Sequence, residues 1–401
     1  MSNANRPIVL AFSGGLDTSF CVPWLRDTFD RPVVTVTVDT GGIDAAAARA
    51  LEEKSRALGA VEHVTVDARS EFFDSVLRFL VMGNVRRGNL YPLCVGAERG
   101  VQARHLAELA HDRGEQTVAH GCTAAGNDQV RFEVILKTLA PELEVLAPVR
   151  DNNWQREDQL RFLRERNMPL PGPGSAYSIN RGLWGVTIGG TETLDSRGSI
   201  PESAWVLSAG AFEEPRAPRE MTISFECGVP CAVDGERLDP VALIEKLEQI
   251  GSAYAIGRGI HLGDTVLGTK GRVAFEAPAA ELLLVSHREL EKLTLGAIQA
   301  RIKEPLALQY GDLIHEGKQL DPACRDIEAL LVSSQARVTG DVHCVLRPGS
   351  VFVAGVESPH SLMAASRGRY GESAGEWTSQ DAVGFSRILS LPGMLHTRAG
   401  G

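Results

Sequence analysis

The stretch Arg6-Pro-Ile-Val-Leu-Ala-Phe-Ser-Gly-Gly-Leu-Asp-Thr-Ser19 carries an apolar run straight into a glycine pair ringed with hydroxyls. Residues 8–12 have the unbroken apolar character of a strand buried in a parallel sheet. Gly14 and Gly15 allow the backbone to turn sharply and approach a ligand, and a helix is expected from Asp17 onward. The first N–H groups of a helix lack intrahelical partners and so favour an anion, to which Ser13, Thr18 and Ser19 add hydroxyl donors. The segment reads as a phosphate trap. It is neither a G-x-x-x-x-G-K-[ST] loop, which occurs nowhere in the chain, nor the three-glycine dinucleotide fingerprint.

Outward from this loop, strands and helices alternate to about residue 166, the signature of a parallel sheet covered by helices. Strands are expected over 8–12, 33–39, 61–67, 117–121 and 144–148, and helices over 17–26, 44–58, 69–82, 101–113 and 128–139. Ligands of such sheets sit at the carboxyl ends of the strands, where the Ser13 loop, 39–42 and 121–127 fall. A polar helix over 156–166 leads into Asn167-Met-Pro-Leu-Pro-Gly-Pro-Gly-Ser175, whose proline and glycine density marks a linker. Beyond it, strands expected over 221–225, 273–275, 337–345 and 351–356 no longer alternate with the helices over 240–250, 280–293, 296–310 and 321–334. This indicates an α+β unit. From residue 361 the chain is rich in Gly, Ser and Arg and reads as a core-poor tail that packs on another subunit.

At 401 residues the chain can bury two or more cores, and 43% hydrophobic with 23% charged residues argues against disorder. A formal net charge of -10 opposes general nucleic-acid binding, which needs a positive surface. Seven scattered cysteines without a C-x-x-C pair give neither a disulfide nor a zinc framework. The polar N-terminal residues show no signal-peptide core, and the apolar run 282–285 is too short to cross a bilayer. A cytoplasmic protein that binds neither membrane nor nucleic acid is expected.

A second run, Ala119-His-Gly-Cys-Thr-Ala-Ala-Gly-Asn-Asp-Gln-Val-Arg-Phe-Glu133, bends through Gly121 and Gly126 and opens a helix. Asp128 and Arg131 stand three apart and share a helix face, offering a carboxylate and a guanidinium side by side. The pair suits a zwitterionic amino acid: the carboxylate accepts from an ammonium, while the guanidinium grips a carboxylate. Taken alone, such a pair is better read as an N-cap aspartate with a surface ion pair; its place beside Gly121, Thr123 and Gly126 at a ligand edge favours the binding role. No His or Cys is expected to be a nucleophile, with His120 structural and Cys122 a small packed residue.

The S-G-G-x-D form of the first loop resembles that of the ATP pyrophosphatases, which cleave ATP between the α and β phosphates. The second run is similar to the H-G-x-T-x-x-G-N-D-Q-x-R-F-E signature of the argininosuccinate synthases. A third segment, Ala176-Tyr-Ser-Ile-Asn-Arg-Gly-Leu-Trp-Gly-Val-Thr187, resembles the piece that follows that family's nucleotide domain. With gaps, the likeness runs to about residue 360. It implies an α/β fold: an adenine nucleotide α-hydrolase-like nucleotide-binding domain over 1–168, a synthetase domain over 169–360 and an oligomerisation tail over 361–401. It further implies an AMP-forming carbon–nitrogen ligase of arginine biosynthesis, a homotetramer using ATP, Mg²⁺, L-citrulline and L-aspartate.

Residue by residue, the resemblance assigns Ala11, Phe12, Ser13, Gly14, Gly15, Leu16, Asp17, Thr18 and Ser19 to ATP, with Val38 and Gly121 contributing backbone. Thr123, Asn127 and Asp128 would hold aspartate. Tyr91, Asn127, Arg131, Ser178 and Thr187 would hold citrulline. Asp17 and Asp128 are the catalytic candidates. Asp17 either caps its helix or faces the triphosphate through Mg²⁺, and Asp128 either orients the aspartate amine or takes its proton. No residue is assigned directly to a metal. Departures from the family pattern gather around the acceptor: Val95 and Gly96 replace a Thr-Ser pair, Gly263 a glutamate, Phe275 a tyrosine and Gly42 a glutamine. Asp264 is a candidate substitute for the lost carboxylate, and a modified ureido acceptor such as an N-acylcitrulline is the alternative substrate. A glutamine-dependent amidotransferase and a nucleotide-binding protein without catalysis are the rival classes.

Overall fold

A computed structural model describes residues 6–170, 177–213, 216–366 and 375–400. Five parallel strands, β1 (Ile8–Ala11), β2 (Val33–Asp39), β3 (Glu62–Asp67), β4 (Thr117–Ala119) and β5 (Glu144–Leu146), pair in the order β3-β2-β1-β4-β5. Ile8, Val9 and Leu10 are all fully buried, because helices cover both faces of the sheet. Ile8 and Leu10 pack with Phe20 and Leu25 of the helix Leu16–Phe29, whereas Val9 packs with Leu106 and Phe132 on the opposite face. Each such side chain contributes about 1.5–3 kcal/mol by leaving water.

The second half adds β6 (Ser178–Gly182), β7 (Gly185–Gly189), β8 (Arg219–Glu226), β9 (Val229–Val233), β10 (Glu236–Arg237), β11 (Arg258–Asp264), β12 (Lys270–Glu276), β13 (Gly340–Arg347) and β14 (Ser350–Glu357). They build two antiparallel sheets, β10-β9-β8-β13-β14 and β11-β12-β7-β6. The largest core joins Phe72, Leu77 and Leu80 to Ile223, Phe225 and Leu283, so a segment of the first half is packed among elements of the second.

Three expectations change. The first helix begins at Leu16 with Gly15 as its N-cap, so Asp17 lies in the first turn and does not cap. The helix expected over 69–82 is broken into Arg69–Phe72, a π-helical Phe73–Leu77 and Arg78–Met82. Phe72, Phe73, Val76, Leu77, Phe79, Leu80, Val81 and Met82 are all buried there, more than one face of a regular helix could bury. The tail, read as poor in periodic apolar residues, instead carries a helix of 21 residues, Ser379–Ala399, started by a Thr378/Asp381 capping box. None of its residues is buried. Residues 171–175 of the expected linker, 367–374 of the tail and the first five residues lie outside the described residues, as does Ala176.

Candidate active site

The phosphate loop sits at the carboxyl end of β1, where Phe12 is buried and Ser13 and Gly15 reach the surface. Gly14 has φ 71°, a conformation that glycine adopts without strain. The helix after it has no side-chain cap, which leaves its first N–H groups for a ligand. Ser13 and Thr18 close a hydroxyl bridge 3.2 Å long, and Ser19 Oγ donates to the Gly14 carbonyl at 3.3 Å. Lys54, from the neighbouring helix Ala45–Ala57, donates to the same carbonyl at 2.5 Å and places a cation beside the loop. Burial pushes the Asp17 carboxyl up, opposed by the hydrogen bond that Gln159 Nε2 donates to it at 2.9 Å. Val38, half-buried near the end of β2, pairs with Val66.

Gly121 brings the two signature runs together. A Cβ there would lie 3.0 Å from Thr18 Cγ2, 3.1 Å from the Thr18 amide nitrogen and 3.2 Å from the Asp17 carbonyl carbon. Any side chain there would press the two loops apart. Beyond it, Asn127 precedes the helix Asp128–Leu139, and its Oδ1 accepts from the Val266 N–H at 2.9 Å, tying this helix to the β11–β12 turn.

Asp128 is held by two guanidinium groups, Arg99 Nε at 3.0 Å and Arg131 Nη1 at 2.7 Å. Burial alone would raise its pKa, but the charges and hydrogen bonds of Arg99 and Arg131 outweigh it and hold the carboxyl down at about 2. The Asp128–Arg131 pair is therefore neither a cap nor a loose surface contact. Arg131 is 6% exposed and also donates Nε to the His315 carbonyl at 2.7 Å. Three of its five N–H donors are engaged by the protein, counting Asp128, the His315 carbonyl and His315 Nδ1.

A cavity of about 230 Å³ opens beside these groups, lined by Tyr91, Asn127, Asp128, Arg131 and Thr187 among the expected residues. Its opposite wall is one face of the β11-β12-β7-β6 sheet: Asn180 pairs with Thr187, Thr187 with Phe275 and His261 with Val273. Ser178 is on the same strand as Asn180, two residues away and exposed, and Thr123 is exposed on the turn before Asn127; neither lines the cavity. A wider cleft of about 1090 Å³ runs past Gly42 and Arg181, away from both signature runs. It holds the ion pairs Arg181–Glu248 at 2.7 Å and Arg69–Glu245 at 3.2 Å but no residue of either signature run, so the smaller cavity is the candidate site.

Two sequence descriptions match the chain, "Arginosuccinate synthase N-terminal HUP domain" over residues 7–169 and "Arginosuccinate synthase C-terminal domain" over 177–396. The argininosuccinate synthase of Methanocaldococcus jannaschii is 36% identical over 392 residues, covering 98% of each chain. Those of Lactiplantibacillus plantarum and Xanthomonas campestris are each 37% identical, over 400 and 401 residues, covering 99% and 98% of this chain and 96% and 99% of theirs. The chain belongs to the argininosuccinate synthase family. The match reaches residue 396, well past the 360 expected, and takes in most of the exposed C-terminal helix.

The positions that depart from the family pattern each have a local explanation. At Gly96 a Cβ would stand 3.2 Å from Arg131 Nη2, so the bare backbone makes room for the guanidinium. Val95 has φ 64° and ψ -49°, and the Gly96 N–H closes a tight turn on the Cys94 carbonyl at 2.7 Å. The Tyr91 hydroxyl donates to that same carbonyl, so its hydrogen goes to the fold. At Gly263 a Cβ would stand 2.5 Å from His261 Nε2, because the imidazole fills the space. Phe275 is 2% exposed and meets Tyr91 edge-on at 5.2 Å. Gly42 has φ 83° and abuts Arg181. Asp264, the expected substitute carboxylate, lines the cavity, is exposed and pairs at the surface with Lys270 at 2.5 Å.

Sequence reasoning missed Arg99, Lys54, Gln159, Asn180, His261 and His315 as site residues. Asn180 stands inside the run 176–187, Arg99 is three residues past Gly96, and His261 is two residues from Gly263, on the same strand face. Nothing local marks His315 or Lys54.

Proposed function

We propose that this chain catalyses the argininosuccinate synthase reaction: ATP, L-citrulline and L-aspartate give argininosuccinate, AMP and diphosphate through a citrullyl-adenylate. The observation that carries this reading is Gly121, which seats the second signature run so close to the phosphate loop that a Cβ there would lie 3.2 Å from the Asp17 carbonyl carbon. That contact sets a phosphate-binding helix start beside the cavity that Asp128 and Arg131 line.

In the first step the ureido oxygen attacks the α-phosphorus and diphosphate leaves. In the second, the aspartate amine attacks the activated carbon and expels AMP. The protein's work is to position reactants and to stabilise charge developing on phosphorus. Residues 11–19, with Val38 and Gly121, hold the nucleotide, and Lys54 adds positive charge at the loop. Thr123, Asn127 and Asp128 hold aspartate; Tyr91, Asn127, Arg131, Ser178 and Thr187 surround the acceptor. A carboxyl held at about pKa 2 is a poor base, so Asp128 orients the amine and does not take its proton.

No cluster of three or more His, Cys, Asp or Glu side chains suited to a metal occurs among the described residues. Mg²⁺ would accompany the triphosphate and offset its charge, and Asp17, raised by burial, would be the loop carboxylate beside it. We assign residues 1–168 to nucleotide binding, 169–360 to the synthetase unit and 361–401 to assembly of a homotetramer. The assembly role is supported by Phe385, Ile388 and Leu389, each at least 65% exposed on the C-terminal helix. No helix of the described residues is long and apolar enough to cross a membrane, and we place the enzyme in the cytoplasm, in arginine biosynthesis. The test is AMP release from ATP with aspartate, citrulline or both. Release that needs both substrates is expected; release with glutamine in place of aspartate, or none at all, contradicts the proposal.

A further inference from the structure

One end of the 230 Å³ cavity is lined by Arg131 and His315, which offer N–H donors. His315 closes the helix Ala297–His315, is 6% exposed and lines the cavity. Its Nδ1 lies 3.1 Å from Arg131 Nη2. A guanidinium nitrogen can only donate, so Nδ1 accepts and the ring proton of the neutral imidazole sits on Nε2. Burial, with the nearby charges of Arg131 and Arg87, keeps the ring neutral by pushing its pKa down to about 3. That Nε2–H is buried and has no partner in the protein. Leaving such a donor unpaired is costly, which marks it as a group built to meet an acceptor atom on a ligand.

Arg87 does not line the cavity but acts on its wall through its charge. Its Nη1 is buried without a partner, and the paired carboxylate, Asp312, stands 4.0 Å from its Nε. Its charge reaches both His315 and His261, lowering each below the usual histidine range in addition to the larger effect of burial. His261 stacks on Tyr91 at 5.3 Å and covers Gly263, so an imidazole occupies this part of the wall.

The two carboxylates that line the cavity each have a cationic partner. Asp128 lies between Arg99 at 3.0 Å and Arg131 at 2.7 Å, and Asp264 is paired with Lys270 at 2.5 Å. An ammonium entering this end would lose water and meet N–H groups and guanidinium charge, whereas a carboxylate or an acyl carbonyl would meet its complements.

We infer that this end of the cavity binds a hydrogen-bond-accepting group of the acceptor, so that ureido acids whose α-nitrogen is acylated or absent are a further substrate class of this chain. The inference rests on the ligase reading above and extends it. The bond changes are the same: the ureido oxygen displaces diphosphate from the α-phosphorus, and the aspartate amine then displaces AMP from carbon.

The full-length protein is assayed for aspartate-dependent AMP formation with L-citrulline, N-acetyl-L-citrulline and δ-ureidovalerate, and binding of each is measured by calorimetry. At least one compound without a free ammonium is expected to match or exceed citrulline in kcat/KM. His315→Phe, which removes the Nε2–H, is expected to lower kcat/KM for that compound at least tenfold more than for citrulline, and His315→Gln to recover part of the loss. The inference is overturned if both masked compounds fall tenfold or more below citrulline. If none of the three yields AMP, the ligase reading fails, and the binding order decides: a masked compound binding more tightly than citrulline supports the donor-lined end, and weaker binding of both overturns it.

Discussion

The phosphate loop takes its donors from a few consecutive residues, Ser13 to Ser19, whereas the acceptor wall draws Tyr91, Thr187, His261 and His315 from four distant segments. The loop's function needs only local geometry: a strand end, a left-handed glycine and an uncapped helix start. The wall exists only after β11, β12, β7 and β6 have paired and the helix Ala297–His315 has docked. The two regions are therefore free to change independently: of the unusual positions, Val95, Gly96 and Gly263 line the acceptor cavity, Phe275 packs on Tyr91, and Gly42 lies on the wider cleft, while none falls in the phosphate loop.

The largest expected effect comes from the seam shared by both regions. Asp128→Asn leaves the guanidinium groups of Arg99 and Arg131 without their carboxylate, and kcat/KM should fall at least a thousandfold with every acceptor. Gly121→Val pushes the two loops apart and should cost about a hundredfold, also regardless of acceptor. Equal losses with all acceptors are the check in steady-state kinetics; a loss confined to one acceptor would place these residues on the wall.

A change limited to the wall should behave differently. Gly263→Glu alone collides with His261, whose Nε2 is 2.5 Å from the new Cβ, so the informative variant is His261→Ala combined with Gly263→Glu. It should raise kcat/KM for citrulline relative to N-acetyl-L-citrulline about tenfold, while KM for ATP moves less than twofold. An ATP effect as large as the acceptor effect would break the proposed independence.

Glu98 gives a smaller and pH-dependent effect. It is 1% exposed; burial, only partly offset by Arg99 and the Thr40 hydrogen bond at 2.8 Å, pushes its carboxyl up from 4.5 to about 7. The unfolded chain thus loses this proton first, so stability falls as pH rises from 4.5 to about 7 and is level above. Glu98→Gln removes that loss and should raise stability by about 2 kcal/mol at pH 8 and by almost nothing at pH 4, measured by thermal unfolding. The smallest effect expected is that of Tyr91→Phe, which frees the Cys94 carbonyl from one of its two donors and should cost about 1 kcal/mol of stability.

The same contrast explains what the sequence disclosed. Residues 8–39 could be read directly, because an apolar strand, a glycine turn and a second apolar strand state their geometry locally. Asp128 and Arg131 were legible as neighbours through helical spacing, but Arg99, which completes the clamp, comes from another helix and leaves no spacing signal. β6, β7 and β11 escaped notice because Asn180, Arg181, His261 and their glycines break any simple apolar alternation. The C-terminal helix was obscured by glycine and serine around it, although Thr378 and Asp381 already spelled a capping box.

The central claim is that a ureido oxygen is adenylated before aspartate attacks. Citrulline or N-acetyl-L-citrulline carrying ¹⁸O in the ureido group, turned over with ATP and aspartate, tests it in one mass-spectrometric measurement of the AMP formed. The account predicts one labelled oxygen on the AMP phosphoryl group and none in diphosphate. Unlabelled AMP, or ADP in its place, would contradict it.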